Sequence, residues 1–224
     1  MLHYSKPSLA TLPQTIVLAN GDFPRSSLAL ELIEAWVRGI EDLNLICCDG
    51  AVNKLGLYTS KLPDAVVGDL DSIAPKLKAQ LTGRVYHYPD QDTNDLTKTM
   101  NHVAKCFGAR RVTLLGASGG REDHLLGNLA LLPSYAHLLD ELIMLTDSGY
   151  FRLIREPSCV EVEVGQQVSV FSFAHAPISL HGVYWPLEEQ SLPALWAGTL
   201  NRAISSIIEL SSPAPLLLFV ANSP

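Results

Sequence analysis

Short apolar, β-rich runs alternate with longer amphipathic stretches through the first two thirds of the chain. Thr15–Ala19, Leu43–Cys48, Ala65–Val67, Arg84–Tyr88, Arg111–Leu115 and Glu141–Thr146 read as strands. Ser26–Arg38, Ala74–Leu81, Leu96–Phe107 and Asp123–Leu139 read as helices, with a shorter one near Val52–Leu57. Strands separated by helices of this length predict βαβ units with right-handed crossovers. The expected fold class is α/β, a doubly wound, mostly parallel, Rossmann-like sheet. Near residue 150 the rhythm changes. Cys159–Val164, Gln167–Phe173, Ile178–Tyr184, Ala203–Leu210 and Pro215–Ala221 are short β-rich runs separated by Gly, Pro, Ser and acidic turns. That spacing predicts a small antiparallel β-sandwich. The expected domains are 1–150, α/β, and 151–224, β-rich.

Composition supports a substantial core. The chain has 224 residues, 47% hydrophobic and 17% charged, which excludes a disordered polymer. A net charge of −7 argues against nucleic acid or an anionic membrane as the main partner. No apolar run approaches the ~18 residues of a membrane span, and Met1–Pro13 lacks the apolar stretch of a secretory signal. Cys47, Cys48, Cys106 and Cys159 lack zinc-like spacing, and the first two lie inside a strand pattern as small buried hydrophobes. The expected localisation is cytoplasmic, with reduced thiols.

The polar chemistry follows the strands. Asn20-Gly21-Asp22, Asp49-Gly50-Ala51, Asp69-Leu70-Asp71, Asp90–Asp95, Gly116–Asp123 and Thr146–Gly149 each come directly after a predicted strand. In an open α/β sheet, ligands bind at the carboxyl ends of the strands, so these segments would crowd one rim. Gly68-Asp69-Leu70-Asp71-Ser72 has two readings. One is a polar turn. The other is half of a Mg²⁺ site, because a hydrated Mg²⁺ is typically held by one or two carboxylates plus substrate phosphates.

Asp92-Thr93-Asn94-Asp95 opens a helix, where Asp serves as a cap, as a first-turn charge, or as a further carboxylate facing the cleft. Gly116–Asp123 reads either as an exposed glycine turn or as a phosphate cradle. In the second case Gly119 and Gly120 allow close backbone approach and Arg121 supplies a charged fork. It is neither a P-loop nor a dinucleotide fingerprint. His124 reads as a helix-surface or hydrogen-bonding residue, since no partner His lies at zinc spacing. No nucleophile motif occurs, which favours direct transfer by positioning and charge neutralisation.

Taken together, Asp49-Gly50-Ala51, Pro63-Asp64 through Ser72, Asp90–Asp95 and Gly119–His124 resemble thiamine pyrophosphokinase in order and interval. The tail with Gly182-Val183-Tyr184-Trp185-Pro186-Leu187 resembles that family's second domain. The resemblance implies transfer of a diphosphate from ATP to thiamine, giving thiamine diphosphate and AMP, with Mg²⁺ as cofactor and a homodimer as the assembly. By that resemblance Asp69, Asp71 and Asp92 or Asp95 would hold the metal. Asp49, Asp71, Asp95, Arg121 and Asp123 would form the catalytic set. Asn20, Gly21, Asp49, Gly50, Asp69, Gln91, Asp92, Thr93, Ser118, Gly119, Gly120 and Arg121 would bind ATP. Asp95, Trp185, Trp196 and Asn201 would contribute to thiamine binding, though both tryptophans also suit core or dimer contacts. One departure stands out: the family often has Ser-Asn in the late loop, where this chain has Leu200-Asn201. The alternatives are an ATP/Mg²⁺-dependent kinase or diphosphokinase of another small alcohol, and a non-catalytic nucleotide- or thiamine-binding regulator.

Overall fold

A computed structural model describes residues 1–40 and 42–222. They divide between two compact units. One comprises Pro13–Asn128 and His137–Asp147; the other comprises Met1–Leu12, Leu129–Ala136 and the chain from Ser148. The expected boundary at 150 thus falls close to the Asp147–Ser148 junction. The beginning of the chain, expected in the α/β domain, belongs instead to the β-rich unit. Residues 41, 223 and 224 of the expected ranges lie outside the described residues.

The chain opens with β1 (Leu2–Tyr4), a strand of the β-rich unit. The α/β unit then runs β2 (Thr15–Leu18), α1 (Ser27–Val37), β3 (Asn44–Cys48), α2 (Ala51–Tyr58), β4 (Ala65–Gly68), α3 (Pro75–Lys78), β5 (Val85–His87), α4 (Asp95–Cys106), β6 (Arg111–Leu115), α5 (Glu122–Leu131) and β7 (Glu141–Leu145). α5 crosses into the other unit at Leu129. The six strands pair in parallel in the order β7-β6-β2-β3-β4-β5. Register is fixed by pairs such as Val17 with Ile46 on one side and Leu114 on the other. Every residue of β4 and β7 is buried, as expected for strands covered on both faces.

Two predicted helices are shorter than their patterns. α3 stops at Lys78, and the chain to Arg84 continues in tight turns that reach Gly83 at φ 78°. After α5, Leu132–His137 tightens into a 3-10 helix, because Pro133 has no N–H to continue the α-helical ladder. α4 starts one residue before the predicted Leu96, and its cap is Asn94 rather than an aspartate: the Asn94 side chain accepts from the Thr97 N–H at 2.9 Å, satisfying one of the helix's free donors. Asp64 is structural. It accepts the Trp36 indole N–H at 2.9 Å and the Leu45 N–H at 2.8 Å, tying α1 to the sheet.

The β-rich unit adds β8 (Gly149–Ile154), β9 (Ser158–Glu161), β10 (Gln167–Phe171), β11 (Ile178–His181), β12 (Leu187–Gln190), β13 (Asn201–Arg202), β14 (Ile207–Ser211) and β15 (Leu216–Ala221). One set pairs antiparallel as β13-β10-β15-β8. A five-stranded sheet runs β1-β9-β14-β11-β12, and its β1–β9 pair is parallel. The sequence pattern does not register β1, β8, β12 or β13. β8 carries Arg152 in mid-run, yet Arg152 is buried and stacks over the Tyr4 ring at 4.5 Å. Among the described residues, no helix is long and apolar enough to cross a membrane.

Candidate active site

A cleft of about 440 Å³ opens at the carboxyl ends of β2, β3 and β6, with Asn20, Asp49, Asp95, Gly119 and Arg121 in its lining. Asp49, Asp69 and Asp71 each place one carboxylate oxygen within 4.8 Å of the other two. Local backbone produces this convergence. Asp49 follows β3 at φ 35° and Leu70 sits at φ 63°, both in the left-handed region that non-glycine residues rarely occupy. The second of these turns the chain so that Asp69 and Asp71 flank one point.

Asp49 is 3% exposed, and its Oδ1 makes no hydrogen bond among the described residues. Desolvation raises the Asp69 carboxyl, but hydrogen bonds from Gln91 and the Asp71 N–H outweigh it, leaving its pKa below the ordinary carboxylate value. Three converging carboxylates, one of them on a buried residue with an unpartnered oxygen, fit a hard divalent cation.

Another part of the cleft lining is built from two loops that only glycine allows. Gly21 donates to the Gly116 carbonyl at 2.7 Å, and the Asp22 N–H donates to the Ser118 carbonyl at 2.9 Å. A Cβ on Gly21 would lie 2.5 Å from both the Gly116 and Ser118 carbonyl oxygens. Gly119, at φ 74°, is pressed equally close against Asp22. The outer face of this double loop presents backbone to the cleft, the property a phosphate-binding surface requires.

Arg121 and Asp123 form a two-pronged ion pair at the rim, with Nε to Oδ1 at 3.1 Å and Nη2 to Oδ2 at 2.6 Å. The hydrogen bonds from Arg121 hold the Asp123 carboxyl below its ordinary pKa, and the same contact raises the guanidinium. Asp95, on the cleft wall at the start of α4, moves the other way. Desolvation first, then the Asp69 charge, raise its pKa, while Lys98 opposes both.

Lys98 escapes the sequence reading. Its side chain is 4% exposed and its ammonium lies 3.5 Å from Asp95 Oδ1. The signal available was a lysine on the apolar face of α4, among Leu96, Thr99, Met100 and Val103. Ser72, His124 and Asn128 also line the cleft without having been assigned to it. Gln91 reaches the trio through Asp69, at 3.4 Å. Thr93 donates to Asp90 in an exposed turn, and exposed Asp92 belongs neither to the carboxylate trio nor to the cleft lining. Gly50 stands at the start of α2 beside Asn20. Cys48 is buried against the cleft, and burial pushes its thiol up to about 12, which removes it as a nucleophile.

The family model of the thiamin pyrophosphokinase catalytic domain matches residues 41–145, and that of the thiamin pyrophosphokinase substrate-binding domain matches residues 149–219. The chain belongs to the thiamin pyrophosphokinase family. Among its relatives, thiamine pyrophosphokinase 1 of Oryza sativa subsp. japonica is 24% identical over 194 residues, covering 73% of this chain and 71% of the relative. Thiamin pyrophosphokinase 1 of Caenorhabditis elegans is 29% identical over 107 residues, 45% of this chain and 44% of the relative. The crystal structure of thiamine pyrophosphokinase from Bacillus subtilis superposes with a TM-score of 0.71 at 19% identity, over 93% of this chain and 99% of that one. The yeast enzyme superposes at 0.74 and 17% identity, over 98% and 90%. These likenesses carry the fold: an α/β unit followed by a β-rich one.

Within the segment matched by the family's substrate-binding domain, Tyr184, Trp185, Trp196, Leu200 and Ile204 are exposed. Tyr184 and Trp185 meet edge to face, with centroids 4.8 Å apart. Asn201 is 8% exposed and its amide is committed to backbone. Oδ1 accepts from the Trp185 N–H at 3.1 Å and the Arg202 N–H at 2.8 Å, while Nδ2 donates to the Trp185 carbonyl at 2.7 Å. Asn201 thus clamps the backbone that carries Trp185.

Proposed function

We propose that this chain transfers a diphosphate group from ATP to thiamine, giving thiamine diphosphate and AMP. The observation that carries the reading is the convergence of Asp49, Asp69 and Asp71, of which Asp49 lines the same cleft as Gly21 and Gly119 of the double loop. Acidic side chains near a backbone suited to phosphate make sense when a divalent cation joins the two.

Asp49, Asp69 and Asp71 are the ligands this reading assigns to Mg²⁺. When bound, the cation neutralises charge on the phosphate oxygens and polarises the phosphorus under attack. The other roles fall to the chain itself. The Gly119-Gly120 backbone cradles phosphate oxygens, and Arg121 turns from Asp123 to add its fork. Asp95 sits on the cleft wall outside the carboxylate trio, with a pKa raised toward that of a useful base. It accepts the proton of the thiamine hydroxyl as that oxygen bonds to the β-phosphorus and AMP departs. Lys98 keeps Asp95 aimed and ionised. In the β-rich unit, Trp185 and Trp196 supply aromatic faces for the thiamine rings, and a second copy of the chain covers the remaining apolar surface in a homodimer.

The deciding experiment incubates the protein with ATP, Mg²⁺ and thiamine and identifies the products. AMP with thiamine diphosphate is expected. ADP would reject diphosphoryl transfer, and absence of turnover would reject the enzyme. For the aromatic faces, Trp185→Ala and Trp196→Ala are expected to raise KM for thiamine about tenfold while moving KM for ATP less than about twofold.

A further inference from the structure

At the start of α2, the Asn53 side chain makes two hydrogen bonds for which the proposed reaction has no direct use. Its Nδ2 donates to the Ser72 carbonyl at 2.7 Å, and its Oδ1 accepts from the Ala74 N–H at 3.0 Å. Ser72 in turn donates its hydroxyl to Asp71 Oδ1 at 2.9 Å. The turn being held needs external support. It contains the left-handed Leu70 and carries two of three converging carboxylates, which repel one another. Further anchors are Lys78 of α3, donating to the Leu70 carbonyl at 2.8 Å, and Gln91, donating to Asp69 at 3.4 Å.

The neighbouring residue on α2, Lys54, donates to the carbonyls of Asn20, at 2.8 Å, and Gly21. One turn earlier, a Cβ on Gly50 would lie 2.7 Å from Asn20 Nδ2 and 3.0 Å from Ser72 Cβ. The first turn of α2 is thus wedged between the glycine loop and the acidic turn and is bonded to both.

We propose that Asn53 is a positioning residue for the divalent-cation site: its amide locks the backbone of residues 72–74 and so aims the Asp71 carboxylate at the point shared with Asp49 and Asp69. This rests on the reading of those three residues as cation ligands. An amide suits the task because the segment demands one donor and one acceptor at once, which neither Asp nor Leu supplies. Asn53 touches neither cation nor substrate; it acts through Ser72 and Asp71, as groups behind a metal's ligands commonly do.

The test measures Mn²⁺ binding to the full chain by the paramagnetic resonance of free Mn²⁺, with no nucleotide present. Asn53→Ala is expected to weaken Mn²⁺ about tenfold while thiamine KM changes less than about twofold. Ala74→Pro provides a second route. Ala74 sits at φ −56° and ψ 131°, values proline accepts, so this change removes the N–H received by Asn53 and sets the ring Cδ in its place, displacing the amide from the turn. It is expected to weaken Mn²⁺ in the same direction, by a smaller factor, and it decides the matter if Asn53→Ala does not fold. Unchanged Mn²⁺ affinity in either folded variant overturns the proposal. So does an equal loss in Mn²⁺ affinity and thiamine KM, which would mark a general loosening, and so does a wild-type chain that binds no Mn²⁺. A wild type that binds Mn²⁺ yet yields no AMP would sink the diphosphokinase reading and leave the Mn²⁺ comparison of wild type and variants standing.

Discussion

Asp49 combines a left-handed backbone, burial and an unpartnered carboxylate oxygen. Strain of this kind costs on the order of 1–3 kcal/mol and persists where the surroundings impose it. Without a cation, its charge adds repulsion toward Asp69 and Asp71. Asn tolerates the same backbone region and carries no charge. Asp49→Asn is therefore expected to raise the melting temperature of the cation-free protein by about 2–4 °C while abolishing turnover, as calorimetry and the AMP assay would show. A lower melting temperature would mean the charge is compensated in the free protein. Asp95 makes a pH prediction. Its folded pKa is raised, so as pH falls it takes up a proton earlier than an ordinary carboxyl, and kcat/KM falls with it. Because Lys98 pulls that value down, Lys98→Met should move the acid limb of the profile to higher pH. An unmoved limb would remove Asp95 as the base. The sequence showed Asp49 and Asp95 as acidic residues in the right loops. It could not show which would converge, because that depends on the left-handed turns at Asp49 and Leu70, which local sequence encodes weakly.

At the level of elements, the site belongs to the segments after β2, β3, β4, β5 and β6, and these were legible because hydrophobic periodicity and turn residues agree there. The interlocking of the β2 and β6 loops was not legible, since it depends on strands adjacent in space but distant in sequence. Gly21→Ala tests that interlock. A methyl group 2.5 Å from two carbonyl oxygens must displace one loop, at a cost of about 1–3 kcal/mol. ATP affinity is expected to fall with stability, and thiamine KM to remain within about twofold; urea titration and initial rates would show both. If ATP KM is unchanged, the double loop is not the phosphate surface. The shortened α3 is instructive for the same reason. Its pattern supports more helix than forms: α3 stops at Lys78, and tight turns through Gly83 lead into β5 at Val85.

For the whole molecule, the alternation of strand and helix revealed the α/β unit, and the change of rhythm near 150 revealed the β-rich one. The assignment of the first residues failed because a three-residue strand carries almost no periodic signal. Leu2, His3 and Tyr4 lie in register with Ser158, Cys159 and Val160. Deleting residues 1–5 is accordingly expected to lower the stability of the β-rich unit and weaken thiamine binding, with Mn²⁺ binding retained. Limited proteolysis beside Mn²⁺ titration would check this, and equal losses in both would argue that the two units do not respond separately. The pairing of β1 with β9 also has a cost in time. At roughly 5–20 residues per second, synthesis leaves the opening strand without its partner for on the order of ten to thirty seconds. During that interval its hydrogen-bonding edge is open to any other chain, so the speed of translation and the crowding around the ribosome bear on how much of this protein reaches its native pairing.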